Sequence, residues 1–313
     1  MGTFVGHIGV GLVFFLIGLW HLFSHIKLHA LHPNSYTAPL WFPSFKFRYA
    51  EPFLIMAGSM ASISMELFIG PKRHQPLDRD GTIPSNHLNN FEHASISFAM
   101  FVYAAFVVIL DRIQPKASRS LGHFLGSIAF AQELLLSHSS TDHITPIGQY
   151  HFFLRLVISV SLTTFIMGIG FPNSFMVSFV RSLSIFFQGV LFIAMGIMLY
   201  IPEFLPKGCL LYDENGRKEI RCSGEEALHR ANSLVKLEFS WFLVGTAIFG
   251  VSFYLILVKI YGEKVEYFYL GRKEENKGEE ESNDIETQKK IACTETPSTK
   301  CKVGKVELKN CLW

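Results

Sequence analysis

The chain is short of charge. Of its 313 residues, 17% are Asp, Glu, Lys or Arg, and 49% are hydrophobic. A soluble domain carries about 25% charged residues. The deficit is uneven: charges gather in a few short segments, which leaves long apolar runs between them and a mean hydropathy of +0.28. With a net charge of +2 and no basic patch interleaved with aromatics, the chain gives no sign of a nucleic-acid partner, and none is expected. Cysteine is sparse too. Cys209 and Cys222 share one loop, while Cys293, Cys301 and Cys311 lie in a polar C-terminal stretch. The absence of any CxxC pair argues against a thiolate zinc site. No N-x-[ST] sequon marks a glycosylated loop.

Seven apolar segments fill most of the chain: approximately Phe4–Phe23, Pro52–Gly70, Phe91–Leu110, Leu121–Leu136, Phe152–Gly170, Phe179–Ile201 and Leu237–Tyr261. Runs of roughly 18–24 residues match a hydrocarbon core about 30 Å thick; the fourth is the weakest. The first lacks a basic leader and a small-residue cleavage site, so it is expected to be retained. The pattern predicts an all-α membrane protein, a seven-transmembrane-helix bundle over residues 1–262, with the lipid bilayer as its surroundings. Gly6, Gly9 and Gly11 in the first segment and Gly168 and Gly170 in the fifth favour close helix approach. From residue 263 the composition turns polar, with Lys273, Glu274, Glu275, Lys277 and Glu279–Glu281 close together. Such a stretch buries too little apolar surface to fold alone, and residues 263–313 are expected to form a disordered tail open to cytosolic partners.

Basic residues near the segment ends bear on orientation. The face carrying the N-terminus holds Lys72, Arg73, Arg79, Lys207, Arg217, Lys218, Arg221, Arg230 and Lys236, mostly in one long loop that counts for less. The other face holds Lys27, Lys46, Arg48, Arg112, Lys116, Arg119, Arg181, Lys259, Lys264 and the tail. The balance predicts a non-cytosolic N-terminus and a cytosolic C-terminus. Cys209 and Cys222 then face an oxidising compartment that permits a disulfide.

Alternating passage sends the ionisable residues of the apolar segments toward one end. His7, Glu66, Glu92, His93, Gln132, Glu133, His138, Glu203, Lys236 and Glu238 all fall at or near the N-terminal face, and Asp142, His143 and His151 follow in the fourth connection. Ionisable groups at such positions are costly and mark functional sites. Imidazoles with one or two carboxylates suit zinc or non-haem iron, and an open coordination position would activate water. His93, His138, His143 and His151 are the candidate metal ligands, with Asp142 a ligand or orienter and Glu133 or Glu92 a base. Haem would need one His from each of two facing helices, for which His93 with His138 or His151 is the pair. No HExxH spacing names the reaction, and these residues equally serve as helix-end hydrogen-bonding groups. Arg155 or Lys236 is the expected counter-ion of Glu133, and Gln188 is expected to bond between helices.

At the opposite face His21, His25, His29 and His32 form one stripe if the first helix runs on past the membrane. Such a stripe can take a metal or sense pH near 6.5. With no carboxylate beside it in sequence and Pro33 closing the helix, an amphipathic extension is the simpler expectation.

Several motifs carry a family resemblance. Gly6-His7-x-x-x-Gly11, Phe91-Glu92-His93, Glu133-x-x-Leu-Leu-x-His138 with Asp142-His143 and Tyr150-His151, and Phe187-Gln188-Gly189 resemble the transmembrane protein 45 family over residues 1 to about 262. His21-x-x-x-His25-x-x-x-His29 and the loop from Asp213 to Cys222 resemble its plant branch. The resemblance implies a seven-pass protein of the endomembrane system or plasma membrane, and no reaction, since the family is a domain of unknown function. Three function classes stay open: a metal-dependent, hydrolase-like membrane enzyme; an ion or proton transporter; and a non-catalytic scaffold or trafficking protein. Against the transporter, no inverted repeat and no paired Gly/Pro interruption is visible. An iron oxygenase of the desaturase type is discounted, because boxes of adjacent histidines are missing.

Overall fold

The computed structural model describes residues 4–43, 47–69, 76–137, 145–214 and 217–292, with side chains described except at 213–219 and beyond 262. Seven α-helices account for nearly all of this: α1 (Phe4–Leu31), α2 (Ala50–Ser64), α3 (Leu88–Ile113), α4 (Ser118–Leu136), α5 (Pro146–Gly170), α6 (Phe175–Tyr200) and α7 (Glu225–Ala292). Local chemistry sets several boundaries. Thr145 caps α5 by accepting from the Gly148 N–H at 3.2 Å, with Pro146 in the first turn, and Ser174 caps α6 through the Val177 N–H. Gln114, in the left-handed region at φ 54°, ends α3. A π-helical turn, Met65–Ile69, extends α2 and carries Glu66.

Six of the helices are long and apolar enough to cross a membrane: those beginning at Phe4, Ala50, Ser85, Pro146, Phe175 and Glu225. The helix α4 falls short of that standard. Its sequence includes Ser120, His123, Ser127, Gln132 and Glu133, and three of these, His123, Ser127 and Glu133, are buried against other helices. Its polarity therefore turns inward, where a hydropathy average cannot register its partners.

The first six helices follow one another around a ring, in which α1 meets both α2 and α6. Of these junctions α1–α2 is the loosest and α1–α6 the closest. The latter rests on glycines one heptad apart on each helix: Gly11 and Gly18 of α1, Gly189 and Gly196 of α6. A Cβ at Gly18 would strike the Phe186 backbone, and one at Gly189 the Phe15 backbone. Small residues here let two backbones approach and add dispersion contacts over their length, the main attraction available between helices in lipid. Gly9 and Gly170, expected in close contacts, would meet nothing within 4 Å, whereas Gly168 packs on His123 and Arg181.

Large aromatics hold α7 instead. Phe239 stacks on Phe153 with ring centroids 4.3 Å apart, Phe249 stacks on Phe186 at 5.0 Å, and Tyr254 meets Phe175 and Phe179. With α1, α5 and α7 around it, α6 becomes the central helix: 72% of its most apolar window is buried, against 11% for α2. Between α6 and α7 the loop anticipated from sequence is an antiparallel β-hairpin, β1 (Cys209–Glu214) with β2 (Arg217–Cys222), closed at its base by a Cys209–Cys222 disulfide. The chain divides into units 1–262 and 263–313. The backbone of α7 is helical as far as Ala292, well into the stretch expected to be disordered.

Candidate functional site

Polar side chains are buried at both ends of the helices. At the end where α1 begins, the π-helical turn presents Glu66 to α3. Its Oε1 lies 3.6 Å from His93 Nδ1, and its Oε2 accepts from the Asn90 amide at 2.8 Å. Single π-helical turns recur at functional sites because the extra residue redirects a side chain. His151 of α5 lies within electrostatic range of His93, His7 and Arg155. His7 is 4% exposed, with its ring centroid 5.4 Å from that of Tyr200. Tyr150 donates to Glu238, tying α5 to α7, and Gln132 bonds the Ser95 carbonyl of α3.

Of the candidates from sequence, this arrangement brings His93 and His151 together and adds Glu66 as the carboxylate beside them. His138, Asp142 and His143 lie outside the described residues. Among the described residues no three His, Cys, Asp or Glu side chains converge closely enough to hold a metal ion. Glu133 is buried, and neither expected counter-ion reaches it: its Oε2 has no hydrogen-bond partner among the described residues, and Lys236 is exposed. Gln188 does bond between helices, its amide donating to Ser161 Oγ at 2.7 Å.

The opposite end departs further from expectation. The histidine stripe of α1 turns into the helices rather than along a surface: His21 is 7% exposed and His25 0%, while only His32 is exposed. The carboxylate missing from the local sequence comes from α2. His21 Nε2 and Glu51 Oε1 are 2.6 Å apart, and Glu51 Oε2 accepts from the Phe42 N–H at 3.1 Å. Tyr36, in the α1–α2 connection, bonds His25 Nδ1 at 2.8 Å. Desolvation by burial pushes its hydroxyl up to about 12, so the phenol keeps its proton. From α4 and α6 come His123, 0% exposed, and Arg181, 3% exposed, with Nη1 3.3 Å from His123 Nδ1 and the guanidinium 5.1 Å from the Phe165 ring centroid. His29 stacks on Phe175 at 4.1 Å.

Sequence reasoning missed Glu51, His123 and Arg181. Arg181 is not the interfacial charge it resembles in sequence, because α6 begins at Phe175 and so carries it inside. A lone Arg within an apolar run was the available signal.

Fold and site define a mostly helical protein with six apolar helices of membrane-crossing length and ionisable groups buried among them. Residues 119–255, from α4 into α7, match a family of unknown function (DUF716). The chain matches no curated protein.

Proposed function

We propose that this is a seven-pass membrane protein of the transmembrane protein 45 family, with α4 as the seventh crossing. Its working site is the histidine and carboxylate cluster at the end where α1 begins. The observation that carries the reading is the Glu66–His93 pair, with His151 of a third helix in electrostatic range of His93. Two imidazoles and a carboxylate form the donor set of a zinc or non-haem iron site. His138, Asp142 and His143, which follow α4 in the sequence, are the proposed remaining ligands. Glu133, one turn below, is the candidate base. The disulfide in the α6–α7 hairpin supports placing this end on the non-cytosolic side, since such bonds persist in oxidising compartments.

The test is elemental analysis and an absorbance spectrum of the purified full chain, beside His93→Ala and His138→Ala. About one zinc or iron per chain, lost in both variants, is expected. Metal-free protein, or metal content indifferent to both substitutions, would refute the site.

A further inference from the structure

The polar cluster at the other end, about 27 Å along α1 from His7 to His25, stands independently of that reading. Arg181 brings a permanent positive charge among apolar helices, and among the described residues no carboxylate lies within ion-pair distance of it. Glu51, the buried carboxylate of the same cluster, has both oxygens occupied, one by His21 and one by the Phe42 N–H. Tyr36 and Tyr103 lie in electrostatic range of the guanidinium, yet neither carries a compensating charge. Among the described residues the polar side chain in contact with it is His123.

That contact also fixes a proton. A guanidinium can only donate, so His123 Nδ1 accepts and the neutral ring carries its hydrogen on Nε2. His123 Nε2 is buried and, among the described residues, has no hydrogen-bond partner. His25 repeats the arrangement in the tautomer whose Nδ1 accepts from the Tyr36 hydroxyl: its hydrogen then sits on Nε2, which is buried and, among the described residues, without a hydrogen-bond partner. A charged donor and two spare N–H donors are thus held within electrostatic range of one another, with no acceptor for the two N–H groups among the described residues. An unmet buried donor is costly, and an unpaired buried charge more so. Gly168 lets both groups pack directly against the α5 backbone, since a Cβ there would fall 2.9 Å from His123 Nδ1 and 3.1 Å from Arg181 Nη1.

We propose that Arg181, His123 and His25 form a binding site for a small anion within the helices. A halide or a small oxyanion supplies what all three groups lack: negative charge and acceptor capacity. Glu51, held by His21, does not compete for the guanidinium.

The experiment measures thermal unfolding of the full chain in nanodiscs, titrated with chloride, phosphate or acetate, with bulky gluconate holding ionic strength constant. At least one of the three raises the unfolding temperature saturably; the chloride arm identifies a halide site and the other two an oxyanion site. Arg181→Gln and His123→Leu each weaken half-saturation by about tenfold or more, the loss of one charge-assisted or buried hydrogen bond. His32→Ala, at the exposed end of the same stripe, leaves the response intact. If Arg181→Gln does not fold, His123→Leu against His123→Gln decides, because the glutamine amide restores an N–H near Nε2. No saturable shift with any of the three anions, or an unchanged response in His123→Leu, overturns the proposal.

Discussion

Replacing Gly18 with Ala adds one methyl group at the closest point between α1 and α6. The new Cβ would meet the backbone N and Cα of Phe186, which cannot rotate aside as a side chain could. The two helices must therefore separate, and the loss extends to neighbouring contacts of the same seam, including Phe15 against Gly189. Overpacking of this kind costs typically 1–3 kcal/mol, about 3 when backbone is struck, and the helix propensity of Ala returns about 1. A net loss of about 2 kcal/mol is expected. Gly9→Ala is the matched control, because its Cβ would meet nothing within 4 Å; the propensity gain stands alone there, at about 0.5–1 kcal/mol. Reversible unfolding of the purified chain in mixed micelles, followed by far-UV circular dichroism, compares the two. Because Gly18 and Gly189 belong to one seam, the double Ala variant should lose less than the sum of the singles. Gly18→Ala proving as stable as Gly9→Ala would refute the seam.

Other expectations concern single contacts. Tyr150→Phe deprives Glu238 of its donor and should cost about 1–3 kcal/mol, read as earlier loss of α7 from the remaining helices in hydrogen exchange; unchanged protection of α7 would contradict the link. Glu51→Ala strands both His21 Nε2 and the Phe42 N–H, whereas Glu51→Gln retains one acceptor, so the Ala variant should unfold at distinctly lower denaturant. Equal midpoints would mean that the pair contributes nothing. Changing Cys209 and Cys222 together to Ser opens a loop of sequence separation 13, worth about 3 kcal/mol in the chain-entropy account. Limited proteolysis should then cut between β1 and β2 in the variant and spare the parent; identical cleavage would count against a disulfide in the native protein.

The gathering of His7, Glu66, His93 and His151 at one end was legible because helices that alternate in direction return every second connection to the same face. The Glu66–His93 pair was not, since their distance depends on a π-helical turn that no hydropathy pattern announces. The opposite end was largely illegible. His21, His25 and His29 showed their common stripe, but the rotation of α1 that points them inward comes from Gly11 and Gly18 docking on α6. Glu51 sits beside Pro52 in sequence, thirty positions from the histidine it pairs with.

Composition and the spacing of apolar runs settle that this chain is helical and lipid-compatible, because length and hydrophobicity are properties of each segment alone. They also place most of the ends. Which buried polar groups meet is a property of pairs of segments, set by helix rotation and by how closely backbones approach. For that reason Arg181 and His123, separate polar residues of two runs, become one contact only in the folded helices.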